Sequence, residues 1–250
     1  MTISQRRQRT RSALQDAALA VFARRGVAGA SIEEICEEGG FTRGAFYSNY
    51  ATKDELVLAL IDEEFALAVE GASDVKNRLD GAGSAGHAWQ ADDADAESSS
   101  TDSSGADSSA TASSGPGTAA GQREVLRRAL EQFRFPFSST PARIIAMRDI
   151  EVHSLRHPEL RARLDEVMRT HKERLYATVS DILTHYRARS TVPLRTLVDI
   201  CHSCYDTAAK DAVVAHPDAE TVDVDRSLLL TVLMSFVEFP QECRPADRDD

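Results

Sequence analysis

Within the stretch GFTRGAFYSNYATK a single guanidinium, Arg43, stands among small and hydroxyl-bearing residues, a set suited to touching a nucleic acid. The Arg43 fork matches the O6 and N7 acceptors of guanine, and Thr42 or Ala45 can meet a thymine methyl. Gly44 leaves room for close approach. Tyr47, Ser48 and Tyr50 offer hydroxyls and Lys53 an ammonium to phosphate oxygens, contacts that fix register without reading sequence. Arg6, Arg7, Arg9 and Arg11 make the N-terminus basic. Of these, Arg7 and Arg11 are candidates for phosphates or the minor groove, either from an arm or from a first helical turn. All of this is recognition chemistry. The chain has no phosphate-cradling glycine loop, no metalloprotease histidine pair and no nucleophile elbow, so neither an enzyme nor a cofactor is expected. Nor is a metal expected. Cys201-His202-Ser203-Cys204 supplies only two soft ligands one helical turn apart, while His202 points elsewhere. The two thiols read as small packed hydrophobes, with a thiol sensor as the alternative.

Such residues need a helix that presents them. Ser31 can cap a helix whose Ile32, Ile35 and Cys36 share a face, and Gly39-Gly40 stops it. Thr42 then caps a second helix, Arg43 to Tyr47, too short to stand alone and anchored through Phe41 and Phe46. A short exposed helix after a tight turn has the geometry of a helix-turn-helix reader. Upstream, Leu14, Ala18, Val21 and Phe22 mark the buttressing helix, Arg6 to Arg25, ended by Gly26. Downstream, Thr52 and Glu55 form a capping box that opens a long connecting helix at Lys53.

Over roughly Arg11 to Ile61 the sequence resembles the TetR-type (tetracycline-repressor-like) bacterial transcriptional regulators, most specifically in GFTRGAFYSNYATKDEL. The resemblance implies that Ser31, Thr42, Arg43, Gly44, Ala45, Tyr47, Tyr50 and Lys53 occupy DNA-contacting positions. It also implies a connecting helix that transmits movement from a second, ligand-binding domain, and a dimer built on the last two helices. A two-fold dimer would read an approximately palindromic double-stranded operator and be released by a small-molecule effector. A helical ligand- or protein-binding module that is not a ligand-released repressor remains the alternative.

The 250 residues, 42% hydrophobic, suffice for such a module plus a second domain with its own core. The formal net charge of -11 argues against nonspecific coating of nucleic acid. With four scattered cysteines, no signal peptide and no spanning segment, a cytoplasmic protein without membrane contact is expected. The expected organisation is all-α: a helix-turn-helix domain over residues 1–52, a connecting helix over 53–80, an insertion over 81–121, a helical ligand-binding and dimerisation domain over 122–240, and a tail over 241–250. The insertion is rich in Gly, Ser, Ala, Asp and Thr, carries six acids and no Lys or Arg, and has almost nothing to bury, so disorder is expected there.

Beyond it helical periodicity returns. Pro158 opens the longest helix of this domain, with Leu160, Leu164, Met168, His171, Leu175, Val179, Ile182 and Tyr186 on one stripe. A small-molecule pocket between bundle helices is placed at Phe133, Phe137, Met147, His171, Tyr176, Tyr186 and Tyr205. The helices from Pro193 and over Asp225 to Phe239 have wide apolar faces, and Leu197, Cys201, Cys204, Leu229, Leu233 and Phe236 are expected at the dimer interface.

Overall fold

The computed structural model describes residues 3–84, 119–132 and 140–239. Helix α1 (Ile3–Gly29) is interrupted at Gly26, whose φ of 69° and ψ of 163° break the helical path. Glycine is required twice over there: the backbone is left-handed, and a Cβ would lie 3.1 Å from the Asp149 carboxylate. Helix α2 (Ile32–Gly39) opens with the expected capping box, in which Ser31 Oγ accepts from Glu34 N at 3.2 Å and Glu34 accepts from Ser31 N at 2.9 Å. It ends at Gly40 in the left-handed region, where the Phe41 N–H closes back on Cys36 O at 2.8 Å. Helix α3 (Arg43–Tyr47) is capped by Thr42, whose Oγ1 accepts from Ala45 N at 3.2 Å.

Helix α4 (Lys53–Ser84) starts one bond away from the expected box. Thr52 Oγ1 accepts from Glu55 N, but the Glu55 carboxylate reaches back to Ala51 N at 2.8 Å, one residue before the cap. Because α4 runs to Ser84 and α5 (Ala119–Gln132) begins at Ala119, both ends of the 81–121 segment are helical. Its remainder, 85–118, lies outside the described residues.

Helix α6 (Pro141–Leu155) has the expected Thr140 cap with proline at its start, and α7 (Pro158–His185) follows after one turn. Helix α8 (Leu194–Ala215) precedes α9 (Ser227–Phe236). The last helix is shorter than its apolar run suggests. At Val237 the backbone turns extended, and β2 (Val237–Glu238) pairs antiparallel with β1 (Arg189–Ser190), Arg189 facing Glu238. An Arg189–Glu238 ion pair at 3.2 Å accompanies this clip, the one strand pairing among the described residues of an otherwise all-α chain.

Two cores lie along α7. The first buries Leu14, Val21, Phe22, Ile35, Phe46, Leu56 and Leu60 of α1 to α4 together with Ile150 of α6 and Leu160 and Leu164 of α7. Fully burying an aliphatic or aromatic side chain contributes ~1.5–3 kcal/mol, so α6 and the start of α7 are built into the N-terminal unit. The second core joins Val75 of α4, Leu126 of α5, Ile182 and Leu183 of α7, Leu197 of α8 and Met234 of α9. The α7 stripe therefore serves two cores in succession. No helix among the described residues is long and apolar enough to cross a membrane.

Candidate DNA-reading surface and the cavity behind it

Helix α3 is held from below and presented above. Phe46 is fully buried in the first core, whereas Thr42, Arg43, Gly44, Tyr47 and Ser48 are exposed and Ala45 is half-buried. Gly39 makes this packing possible, since a Cβ there would stand 2.9 Å from the Phe41 ring and 3.2 Å from Ala17 Cβ. Arg43 is parked on Glu33 of α2, N to O 2.9 Å, with its guanidinium 6.0 Å from the Tyr47 ring centroid. Tyr47 first and Glu33 second stabilise the cation. The pair is more than half exposed on both sides, so it constrains Arg43 only weakly.

The other expected DNA contacts divide into two groups. Arg7 and Arg11 lie on α1 rather than in a separate arm. Arg7 donates to Ser48 O at 3.3 Å and Arg11 to Asn49 O at 3.2 Å, holding the C-terminal end of α3 against α1. A guanidinium has five donors, so this leaves N–H groups that can still face a phosphate.

Tyr50 and Lys53, by contrast, are turned inward. Tyr50 is 2% exposed, its hydroxyl has no hydrogen-bond partner among the described residues, and the Arg11 guanidinium sits 4.5 Å from its ring centroid. Lys53 Nζ donates to Val27 O at 2.6 Å and Ala30 O at 2.7 Å, and burial pulls its pKa down. The reason is the end of α1: the helix stops at Gly29, and Ser31 N, which would reach Val27 O, bonds Glu34 instead, so Val27 O and Ala30 O lack helical partners and the ammonium satisfies both. Ser31, also named as a contact, has its hydroxyl committed to the capping box.

Asp149 of α6 completes this joint. Its Oδ2 accepts from Val27 N at 2.5 Å, so Val27 at the α1 end is gripped by Asp149 through its N–H and by Lys53 through its carbonyl. The next residue back on α6, Arg148, is ion-paired with Asp206 of α8. Arg143, near the start of α6, donates to Glu64 of α4 at 2.8 Å, and burial keeps the Glu64 carboxyl above its ordinary range despite that partner. Helix α6 thus touches the reading unit, the connecting helix and α8 through three charged side chains. Nothing in the local sequence around Asp149 announces its role, because its partner lies 122 residues away.

Behind α8 lies a cavity of ≈ 190 Å³ bounded by α4, α5, α7, α8 and α9, with a mostly aliphatic wall. Of the residues expected to form a pocket, Tyr205 lines it. Met147 packs on the first core instead, and Tyr186 is buried in the second. Tyr176 lies under the Arg195 guanidinium, 5.1 Å away, beside a separate polar groove. His171 bonds Asp62 through Nε2 at 2.8 Å and stacks on Phe65, outside the cavity wall. Phe133 and Phe137 lie outside the described residues.

The residues expected at a dimer interface are mostly internal. Leu197, Cys201, Leu229 and Leu233 line the cavity, with Leu197 2% and Leu229 7% exposed, and Phe236 packs on the second core. Cys204 is half-buried one turn from Cys201, whose thiol burial pushes up to about 11. Among the described residues no group of three or more His, Cys, Asp and Glu could hold a metal ion. On α8 and α9 the open apolar side chains are others, Val214 at 75% and Leu228 at 54% exposed, and α6 leaves Leu155 67% exposed as well.

Comparison with known proteins falls on the same stretch. Residues 14–60 match the family described as "Bacterial regulatory proteins, tetR family". The chain is 46% identical over 55 residues to the HTH-type transcriptional regulator TtgR of Pseudomonas putida, which is 22% of this chain and 26% of that protein. The match therefore spans about a quarter of that relative's length. The fold extends further. Salmonella enterica GusR superposes with a TM-score of 0.52 at 15% identity, covering 90% of this chain and 92% of the other. A Mesorhizobium loti protein assigned to the TetR family gives 0.51 at 15% identity, over 92% and 94%.

Proposed function

We propose that this chain, whose residues 14–60 belong with the reading modules of the tetR family of bacterial regulatory proteins, is a sequence-specific DNA-binding regulator whose second domain binds a small effector. The observation that carries the reading is α3 itself. A five-residue helix is far too short to persist alone, yet it is fixed by a cap at one end, two arginine contacts at the other and a fully buried Phe46 beneath. What that support presents is Thr42, Arg43, Gly44 and Ala45, with Tyr47 and Ser48 beside them for phosphate. Lys53 and Tyr50 act one layer below, as supports.

Two such helices act together in a two-fold dimer. Among the open apolar side chains, Val214 and Leu228 are those on α8 and α9, and they are offered to the partner in place of the internal face expected from periodicity. The operator is then an approximate palindrome with half-sites about 34–36 Å apart, or a multiple of that spacing.

Release follows from a population shift. An effector in the cavity touches Tyr205 on α8, the neighbour of Asp206. From Asp206 the contacts run through Arg148 and Asp149 of α6 to Val27 at the end of α1. The effector need only favour the arrangement in which the α1 end, and with it α2 and α3, is wrongly spaced for DNA. Selection of duplexes from a random-sequence library by the purified protein tests the reading. Enrichment of a near-palindromic motif is the expected result. A library that stays unenriched over repeated rounds would leave a ligand-binding helical protein with no operator.

A further inference from the structure

The cavity behind α8 has room because α4 presents alanines to it. Ala68 and Ala72, one turn apart on α4, line a space that leucines and valines of α7 and α9 close from other sides. Helices bond their own N–H and C=O groups, so along these walls the backbone offers the cavity little to bond. No carboxylate and no lysine stands in the wall among the described residues. The polar side chains that do line it are engaged by the chain itself. His202 is exposed and lies 3.4 Å from Asp206, while Tyr205 and Arg226 each interact with other groups of the protein.

The interior disfavours charge. Burial pushes the Cys201 thiol up to about 11, and burial first, with Glu64 and Asp206 adding to it, pushes the Tyr205 phenol up to about 12. Both groups line the cavity, and both stay neutral across the physiological range. A ligand that brought an ionised group inside would meet the same desolvation. What the wall offers in abundance is aliphatic surface.

We propose that the effector is an uncharged, apolar molecule about the size of one alkyl-substituted benzene ring, seated between α4, α7, α8 and α9. Volume sets that size. An apolar cavity of about 150 Å³ stays dry and takes benzene, and this one measures ≈ 190 Å³. The atoms lining a dry void lack partners on one side, so a ligand of matching shape supplies dispersion contacts without displacing bound water. Ala68 and Ala72 put that ligand directly against the connecting helix. The ligand class rests on the reading that this cavity is the effector site, so binding is tested first and DNA second.

Toluene, benzoate and benzylammonium share one ring and differ in charge, and each is titrated into the full-length protein by calorimetry. Toluene is expected to bind at least about tenfold more tightly than either ion, because neither ion can enter without burying its charge. Ala72→Leu extends a side chain into the space and should weaken toluene by about tenfold or more. Val179→Ala widens the space and should raise the affinity of propylbenzene relative to toluene by about fourfold, the scale of one further buried methylene. A gain of that kind cannot come from a misfolded protein, so it decides the matter where Ala72→Leu loses its fold. Either ion binding as tightly as toluene, toluene affinity unaltered in a folded Ala72→Leu, a ratio unmoved in Val179→Ala, or no binding of toluene would overturn the proposal. The second arm measures affinity for the selected duplex with each compound present. Toluene that binds as expected but leaves DNA affinity unchanged would retain the ligand class and remove the release reading. An ion that releases DNA where toluene does not would do the reverse.

Discussion

Replacing Asp149 probes how α6 grips the reading unit. The Asp149 Oδ2 accepts from Val27 N at 2.5 Å, and Val27 is fully buried, so Asp149→Ala leaves a buried N–H without its acceptor. That loss costs ~1–3 kcal/mol. Asp149→Asn keeps a neutral oxygen and should lose about half as much, since charge-assisted bonds are roughly twice as strong as neutral ones. Gly26→Ala acts at the same joint. It forces a Cβ into a backbone at φ 69° and ψ 163°, a region essentially reserved for glycine, costing ~1–3 kcal/mol, and sets that Cβ 3.1 Å from the Asp149 carboxylate. Removing the carboxylate removes the second of these penalties. The double variant Gly26→Ala/Asp149→Ala should therefore fall short of the summed single costs by ~0.5 kcal/mol or more. The assay is urea unfolding followed by far-UV circular dichroism at one fixed protein concentration, because the proposed dimer would couple stability to concentration. Each kcal/mol should also move Tm by about 2–4 °C in a chain of this size. Strict additivity, or an Asp149→Ala protein as stable as the parent, would refute the joint.

Glu33→Gln removes the partner on which Arg43 is parked at 2.9 Å, so affinity for the selected duplex should rise by up to about fivefold, as befits an exposed pair worth ~1 kcal/mol or less. An unchanged or weaker affinity in electrophoretic titration would mean that Glu33 does not compete with DNA. Lys53→Met should lower stability by ~1–3 kcal/mol through loss of its bonds to Val27 O and Ala30 O. The salt dependence of DNA binding should keep its slope, whereas a slope shallower by about one with full stability would make Lys53 a phosphate contact. The Glu34 carboxyl is held below the usual carboxylate range by its bonds to the Ser31 backbone and hydroxyl. A depressed folded value stabilises above the unfolded pKa of about 4.3 and loses that contribution as pH falls through the folded value. The Tm difference between the parent and Glu34→Gln should then be constant near neutrality and vanish in acid. A difference that grows below about pH 4.3 would contradict the capping account.

Local rules carried the reading unit. Ser31 and Glu34, Gly40, Thr42, Thr140 and Pro158 each announce a helix end within four residues, and each lies where the rule puts it. What local rules do not reveal depends on distant partners. Lys53 and Tyr50 have the residue types of phosphate contacts, but Lys53 bonds the Val27 and Ala30 carbonyls at the end of α1, and Tyr50 is buried with Arg11 over its ring. An apolar stripe says that a face is buried and is silent on what buries it. Leu197, Leu229 and Leu233 had the pattern of an interface and instead line their own chain's cavity. The tyrosines assigned to the pocket were chosen by type, and only Tyr205 falls on the right side of its helix. Val237 has the β-branched shape that prefers extended backbone, a cue for the clip with Ser190 that the surrounding apolar run concealed.

The claim that α3 reads base edges through Arg43 is tested most directly by fluorescence anisotropy of the parent and Arg43→Ala on the selected duplex and on random duplex, across a salt series. The account predicts tight, selective binding by the parent. In Arg43→Ala it predicts a loss of ~1–3 kcal/mol that is confined to the selected duplex and leaves the salt slope on random DNA within about one of the parent's. Equal losses on both duplexes would make Arg43 a phosphate contact and contradict the account.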